Sequence, residues 1–368
     1  MLSNISLAIL SPNANAYSET FIQAHKQLPF NIKYYFDGFI PRSLEGEGRL
    51  NQSALNKVRF KLKSKISKLS FNEYNLIKSL KKNKVNCILA EYGTTAADSL
   101  HVAKILKLPL IVHFHGYDAT MFDFVKRYKE KYVKVFEYAS AVIVVSKKMY
   151  QDVLLLGCPP HKMHLITYGP NSSFFKIQPA YNSNQFVSIG RFVDKKAPYL
   201  TLAAFKEVVA AHSDAKLVMV GDGPLLNTCI NLTRVWNLSN NVVFAGALTP
   251  TEIIKTFEDS IAFLQHSVTA HNGDSEGTPV AVLEASAAGL PIIASRHAGI
   301  PDVIIDGETG LLFDELDVNT MAKQMLNVFE DHELAARLGM KGKEHLQVNF
   351  TIDIHLAKIA ALIESAVQ

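Results

Sequence analysis

Cysteine is scarce in this chain: three in 368 residues, Cys87, Cys158 and Cys229. An odd number with no metal-ligand spacing excludes a disulfide framework and a zinc ribbon, and fits buried thiols in a reducing compartment. No apolar run approaches the roughly 20 residues that a membrane-crossing helix needs. Met1-Leu2-Ser3-Asn4-Ile5 lacks the charged start and long apolar stretch of a secretory signal, so no signal peptide is expected. Short-period repeats and low-complexity tracts are also missing. The formal net charge of +4 is mild, and no nucleic-acid partner is expected. These absences leave a soluble, cytoplasmic protein long enough for two domains with substantial cores.

What is present is a succession of short apolar runs separated by helical patterns: Ile5–Leu10, Ile32–Phe36, Cys87–Ala90, Leu110–Phe114 and Ala141–Val145, then Phe186–Ile189, Leu217–Val220, Val242–Ala245, Ile261–Leu264 and Pro291–Ala294. Near-continuous Val/Ile/Leu strands between helices indicate α/β architecture with parallel sheets covered on both faces. The alternation restarts after the polar stretch Gln178 to Gln185, which has linker composition. Two doubly wound domains follow.

In the first half, strand Ile5–Leu10 runs into a loop and then Ser18-Glu19-Thr20-Phe21. Ser18 suits a helix cap, and a strand-loop-helix at the carboxyl edge of a parallel sheet is also where ligands bind. Both readings stand on local grounds. Residues 57–84 hold ten Lys/Arg against one acid, Glu73. Lys57, Lys61, Lys65 and Lys68 share one helical face, and Val58, Leu62, Ile66 and Leu69 another. The pattern fits a basic amphipathic helix on an anionic membrane, and equally a solvated face over the domain's own core. His113 and His115 alternate along a strand and point the same way. Without a third ligand nearby they make a poor zinc site, and no metal is expected.

In the second half, Gly190-Arg191 follows a strand and precedes Asp194-Lys195-Lys196-Ala197. Glycine admits close backbone approach, guanidinium grips phosphate at two points, and Lys196 adds a point charge. Val220-Gly221-Asp222-Gly223-Pro224 resembles half of a dinucleotide fingerprint, but Leu226 stands where the third glycine belongs. No acid lies between Asp222 and Glu252 to bind a ribose. Further on, Glu276-Gly277-Thr278-Pro279 leads into a helix, with Thr278 as cap, Pro279 at the first position and Gly289 as stop. The free N–H groups of that first turn favour an anion, and Glu276 and Glu284 bracket it. Gly-Thr-Pro is also common helix punctuation.

The setting decides between them. Glu276-x7-Glu284 with Gly277-x-Pro279 inside it is followed by Gly289-x-Pro291-Ile292-Ile293-Ala294, Ala298-Gly299-Ile300-Pro301-Asp302 and Asp306 to Phe313. This resembles the donor-site stretch of the retaining glycosyltransferases of family 4. Gly190-Arg191-x4-Lys196 follows the family's Gly-Arg-x4-Lys-Gly, except that Ala197 replaces the last glycine and leaves the loop shape open. His115-Gly116-x-Asp118 is similar to the family motif near the transferred sugar. The Ser-Glu-Thr-Phe stretch, where many members carry Gly-Gly, is similar to the subgroup making colanic-acid-like surface polysaccharides.

The resemblance implies a GT-B fold: two doubly wound Rossmann-like domains facing a cleft, with a C-terminal helix crossing back to the N-terminal domain. Residues 1–175 with 351–368 would form the acceptor domain and 176–350 the donor domain. It implies a retaining, hexosyltransferase-type enzyme moving sugar from a UDP- or GDP-sugar to a saccharide acceptor in polysaccharide, lipopolysaccharide or glycolipid synthesis. The acceptor would be lipid-linked if the basic segment holds the enzyme on the inner face of the cytoplasmic membrane. Donor contacts would come from Gly190, Arg191, Lys196, Glu276, Gly277, Thr278, Pro279 and Glu284. His115 and Glu276 would serve the chemistry, and Ser18, Glu19 and Asp118 the acceptor. No cofactor is expected, and the lack of an Asp-x-Asp pair points away from a bound Mg²⁺. Competing readings are a nucleotide-sugar epimerase and a non-catalytic nucleotide-sugar-binding subunit of the same architecture.

Overall fold

A computed structural model describes residues 5–14, 19–50, 60 and 69–368. The chain forms two units, Met1–Ile166 with Leu356–Gln368, and Thr167–His355.

The first unit is built on eight strands: β1 Ser6–Leu10, β2 Asn31–Phe36, β3 Ser43–Leu44, β4 Gly48–Arg49, β5 Cys87–Glu91, β6 Leu110–His113, β7 Ala141–Val144 and β8 Met163–Leu165. Their order is β4-β3-β2-β1-β5-β6-β7-β8. All pairings are parallel except β2–β3 and β3–β4. The central strands β1, β5, β6 and β7 are buried along their whole length, which is why their sequences read as unbroken apolar runs. From β1 the chain moves one way across the sheet, and from β5 the other. The β1/β5 boundary is therefore the switch point, where the carboxyl ends of strands leave a crevice.

The second unit repeats the design with six parallel strands: β9 Gln185–Ile189, β10 Lys216–Val220, β11 Val242–Gly246, β12 Ala262–Gln265, β13 Ile292–Ser295 and β14 Gly310–Phe313. The order β11-β10-β9-β12-β13-β14 puts its switch point between β9 and β12. Phe186, Phe205, Leu217, Leu264 and Ile293 anchor its core.

The boundary falls about ten residues earlier than the linker composition implied. Phe174 is buried against Phe257, with ring centroids 5.9 Å apart, and Gly169 abuts the backbone of Thr351 so closely that a Cβ would lie 2.3 Å from it. Both contacts draw 167–176 into the second unit. The final helix, Ile352–Val367, begins there, and from Leu356 onward it groups with the first unit, burying Ile359 and Ile363.

Helix ends follow the local chemistry. Ser70 and Glu73 close a capping box at the start of Phe71–Lys82. Gly289 stops the helix Val280–Ala288 at φ +93, a left-handed conformation glycine adopts without strain. That helix starts one residue later than expected: Pro279 is its N-cap, and Thr278 lies just outside.

Candidate functional site

In the second unit, the carboxyl end of β9 delivers Gly190 and Arg191 to the switch point. A small pocket there is lined by Gly190, Arg191, Lys196, Val220 and Gln265 among others. Gly221 and Gly223 pack against the loop that carries Gly190 and Phe192. A Cβ on Gly221 would lie 2.1 Å from the Gly190 carbonyl oxygen, and one on Gly223 2.5 Å from that of Phe192. The Gly-Asp-Gly turn thus lets two loops touch, a structural task without a nucleotide of its own.

The tight turn Asp194–Lys196 follows, and Ala197 closes it at φ +38, ψ 51, fully buried. Alanine here holds the left-handed conformation that the family's glycine would take, at a strain of about 1 kcal/mol. The turn aims two lysines at the next strand's loop. Lys195 Nζ lies 2.9 Å from Asp274 Oδ1 and 3.1 Å from the Ser275 carbonyl. Lys196 Nζ lies 3.0 Å from Glu276 Oε1. This ion pair leaves Glu276 able to accept from a further donor, since an ionised carboxylate has about four lone-pair sites.

Burial works against ionisation of Glu276, yet the charges of Lys196 and then Lys195 outweigh it and hold the carboxyl down to about 2. Burial likewise pulls the Lys196 ammonium below its ordinary value, with Glu276 opposing. Behind Glu276, His297 Nε2 accepts from the Glu276 N–H at 3.2 Å and meets Ser275 Oγ at 3.0 Å, while its Nδ1 meets Glu315 at 2.5 Å. The Gly277 carbonyl accepts from Gly299 N–H at 2.9 Å. Arg191 is exposed, and its guanidinium makes no ion pair or hydrogen bond among the described residues. Glu284, inside the helix, has no partner among them either, and burial alone pushes its carboxyl up to about 8. No side chain caps that helix, whose first turn presents N–H groups beside Glu276.

The first unit gathers a different set at β1/β5. Glu91, the last residue of β5, is wholly buried. Its Oε1 lies 2.7 Å from His25 Nδ1, and its Oε2 lies 2.8 Å from His115 Nε2 and 3.7 Å from His113 Nδ1. Burial opposes its charge, but His25 and His115 hold the carboxyl down to about 2. The His115 ring packs between Phe21 and Tyr92, each centroid 4.7 Å away, and on His113 at 4.2 Å. Glu19 joins through Tyr92, whose hydroxyl donates to Glu19 Oε1 at 2.8 Å; Asn13 Nδ2 donates to the same oxygen. Asp118 is fully buried, and its carboxylate accepts from the N–H groups of Gly93, His115 and Gly116 at 2.8–3.1 Å. Ser18 lies outside the described residues.

His25, Glu91 and His113 offer three ligand atoms within 4.8 Å of one another, so the fold supplies the further ligands that sequence reasoning did not find beside His113 and His115. Within that trio His25 Nδ1 and Glu91 Oε1 are nevertheless at a hydrogen-bond distance of 2.7 Å, while His113 Nδ1 stands 3.7 Å from Oε2. Two ligands on a tetrahedral zinc ion stand about 3.3 Å apart. The His25–Glu91 pair, closer than two zinc ligands would stand, fits proton sharing. Sequence reasoning missed Glu91, though a carboxylate closing a buried parallel strand was a signal; His25 had none.

Two family models match the chain. Residues 38–173 match "Glycosyltransferase Family 4" and residues 171–345 match "Glycosyl transferases group 1". The chain is a glycosyltransferase that carries both of these domains. The enzyme is 25% identical over 276 residues to the amylovoran biosynthesis glycosyltransferase AmsK of Erwinia amylovora, covering 74% of this chain and 68% of AmsK. WcaL of Salmonella typhimurium, named for colanic acid biosynthesis, is 24% identical over 277 residues with the same coverage. Anabaena HepE, solved with UDP, superposes at a TM-score of 0.79 with 15% identity, covering 98% of this chain and 100% of HepE. That last likeness shows the GT-B fold.

Proposed function

We propose that the enzyme moves a hexosyl group from a nucleotide diphosphate sugar to a saccharide acceptor, with retention and without a bound metal. The observation that carries this reading is the Arg191–Lys196–Glu276 constellation at the second switch point. An exposed guanidinium, a largely buried ammonium and uncapped helical N–H groups belong to the same site as one ionised carboxylate with lone pairs to spare. The cations neutralise a departing diphosphate as charge builds on it, the task a metal would otherwise perform. Glu276 accepts from a hydroxyl of the donor sugar and orients it; Glu284 accepts from the ribose. His115 contacts the transferred sugar. Retention is carried over from the family: the acceptor hydroxyl attacks from the leaving group's face, and the donor phosphate takes its proton. We assign Asp118 to shaping the His115 loop, because its carboxylate is committed to three backbone amides.

The names of AmsK and WcaL support a polysaccharide acceptor. Incubation with UDP- and GDP-sugars tests the whole reading. Transfer or slow donor hydrolysis supports it, an isomerised donor would mean an epimerase, and binding without turnover a non-catalytic subunit.

No helix among the described residues is long and apolar enough to cross a membrane. Reach to a lipid-linked acceptor is assigned to the basic segment, of which 57–59 and 61–68 lie outside the described residues. Its described part, Phe71–Lys82, buries Tyr74, Leu76, Ile77 and Leu80. Docking is therefore assigned to the lysines before it, each worth about 1 kcal/mol at an anionic leaflet. Reversing Lys57, Lys61, Lys65 and Lys68 to glutamate should abolish sedimentation with phosphatidylserine vesicles at low salt while sparing donor hydrolysis. A wild-type enzyme that ignores such vesicles ends this part of the reading.

A further inference from the structure

A carboxylate with no exposure, fixed at the end of a central strand, calls for an explanation. Leaving water costs an ion several kcal/mol, and an apolar side chain of similar volume would fill the position without that penalty. Glu91 and His113 are paired across β5 and β6, and His115 follows two residues later on the same side. His25 comes from the short turn His25–Gln27 and meets the other carboxylate oxygen. An ionised carboxylate only accepts hydrogen bonds. His115 must then donate from Nε2 and His25 from Nδ1. The ring of His115 is thereby fixed in both rotation and tautomer, with its Nδ1 edge directed away from Glu91.

We propose that Glu91 is a positioning residue for the transfer reaction, acting through His115 by fixing the ring's orientation and holding its proton on Nε2. The proposal rests on the reading that His115 contacts the transferred sugar. The alternative role, a brace for the fold, is separable from it. Glu91→Gln keeps the volume but offers one accepting and one donating atom, so the amide can no longer accept from both rings.

The test has two readouts. In the wild-type enzyme, ¹⁵N spectra of the imidazoles should place a proton on Nε2 of His115; a bare Nε2 overturns the proposal outright. In turnover of UDP-glucose or GDP-mannose by the full-length enzyme, Glu91→Gln should lower kcat about 100-fold, the scale of a small misplacement of a reacting group. KM for the donor and calorimetric affinity for UDP or GDP should stay within about twofold, because those contacts belong to the second unit. Glu91→Asp, which restores an acceptor-only carboxylate, should recover at least about tenfold over Glu91→Gln. If folded Glu91→Gln turns over at the wild-type rate while His115→Ala does not, Glu91 is a brace and the proposal falls. If His115→Ala also turns over normally, the role given to His115 falls instead. Should Glu91→Gln not fold, the wild-type spectrum and Glu91→Asp still decide.

Discussion

Glu91 and Glu276 are a natural pair to compare. Each is a buried carboxylate at the carboxyl edge of a parallel sheet beside a topological switch point, and each is held down to about 2. Their neighbours differ. Glu91 is met by imidazoles, whose charge is conditional and whose hydrogen bonds are directional. Glu276 is met by ammonium groups, which stay charged and grip loosely. Around it Lys195 pairs with Asp274 and Lys196 with Glu276, while Arg191, which lines the same pocket as Lys196, is paired with neither, so its positive charge is in surplus over these two pairs. A carboxylate that satisfies its neighbours organises them. A carboxylate outnumbered by fixed cations marks a place where an anion belongs. The first unit thus carries an orienting network, and the second a binding site.

The sharpest way to break that contrast is to remove Glu276. Glu276→Ala strips Lys196 of its counter-charge and the donor sugar of its acceptor. Deleting one partner of a buried pair costs about 3–5 kcal/mol, and losing a positioned electrostatic contact lowers kcat by about 10²–10³. Melting temperature and donor turnover should both fall. Turnover within about threefold of wild type would take Glu276 out of the chemistry. The group's pH signature has a definite sign. Its folded value lies below the ordinary 4.5, so the stability it confers is full above 4.5 and is lost as pH falls toward 2.

Arg191 comes next. Being exposed and unpaired among the described residues, it contributes little to folding, and Arg191→Ala should leave the melting temperature within a degree or two. Its loss should weaken UDP or GDP binding by roughly 1.5–3 kcal/mol, the scale of a charge-assisted hydrogen bond. Unchanged calorimetric affinity for both would remove the surplus charge from the donor site and collapse the distinction between the two carboxylates.

The two sites were unequally legible in the sequence, for physical reasons. The donor-side residues lie in three short segments, 190–197, 273–284 and 298–313, whose glycines, prolines and charges keep a fixed spacing because backbone and ligand approach each other closely there. Even the alanine at 197 was visible as a departure, and only its φ of +38 shows that the loop tolerates it. The strands were legible within a residue or so, because parallel strands buried on both faces must be apolar throughout. What stayed hidden depends on contacts across long separations. His25 meets Glu91 over 66 residues, and no periodicity encodes that meeting. The short strands β3, β4 and β8 left no run long enough to read, and β14 was not read as a strand. The unit boundary was drawn from composition, whereas Phe174 and Gly169 set it by packing.

Glu284 gives the smallest expected effect and the finest discrimination, since it is the one carboxylate of the three with neither imidazole nor ammonium beside it. Burial alone raises its carboxyl from 4.5 to about 8, so at pH 7 it carries a proton. Folding therefore favours its protonated form: the contribution to stability is full below 4.5 and declines as pH rises through 8. Ribose hydroxyls donating to both oxygens of Glu284 favour the carboxylate over the acid, so nucleotide binding should draw that proton off. Affinity for UDP or GDP should tighten as pH rises from 6.5, by up to about tenfold per unit, and level off above 8. Calorimetry below that point, in buffers of different ionisation enthalpy, should detect the released proton. Glu284→Gln accepts through its amide oxygen at every pH, so its affinity should be flat, and lower than that of the wild type only on the alkaline side. The 2′-deoxy nucleotide should lose both the affinity and the proton release. A wild-type affinity that is flat across the range, or equal for ribose and deoxyribose, would move Glu284 off the ribose and leave it a buried acid in the wall of the second unit.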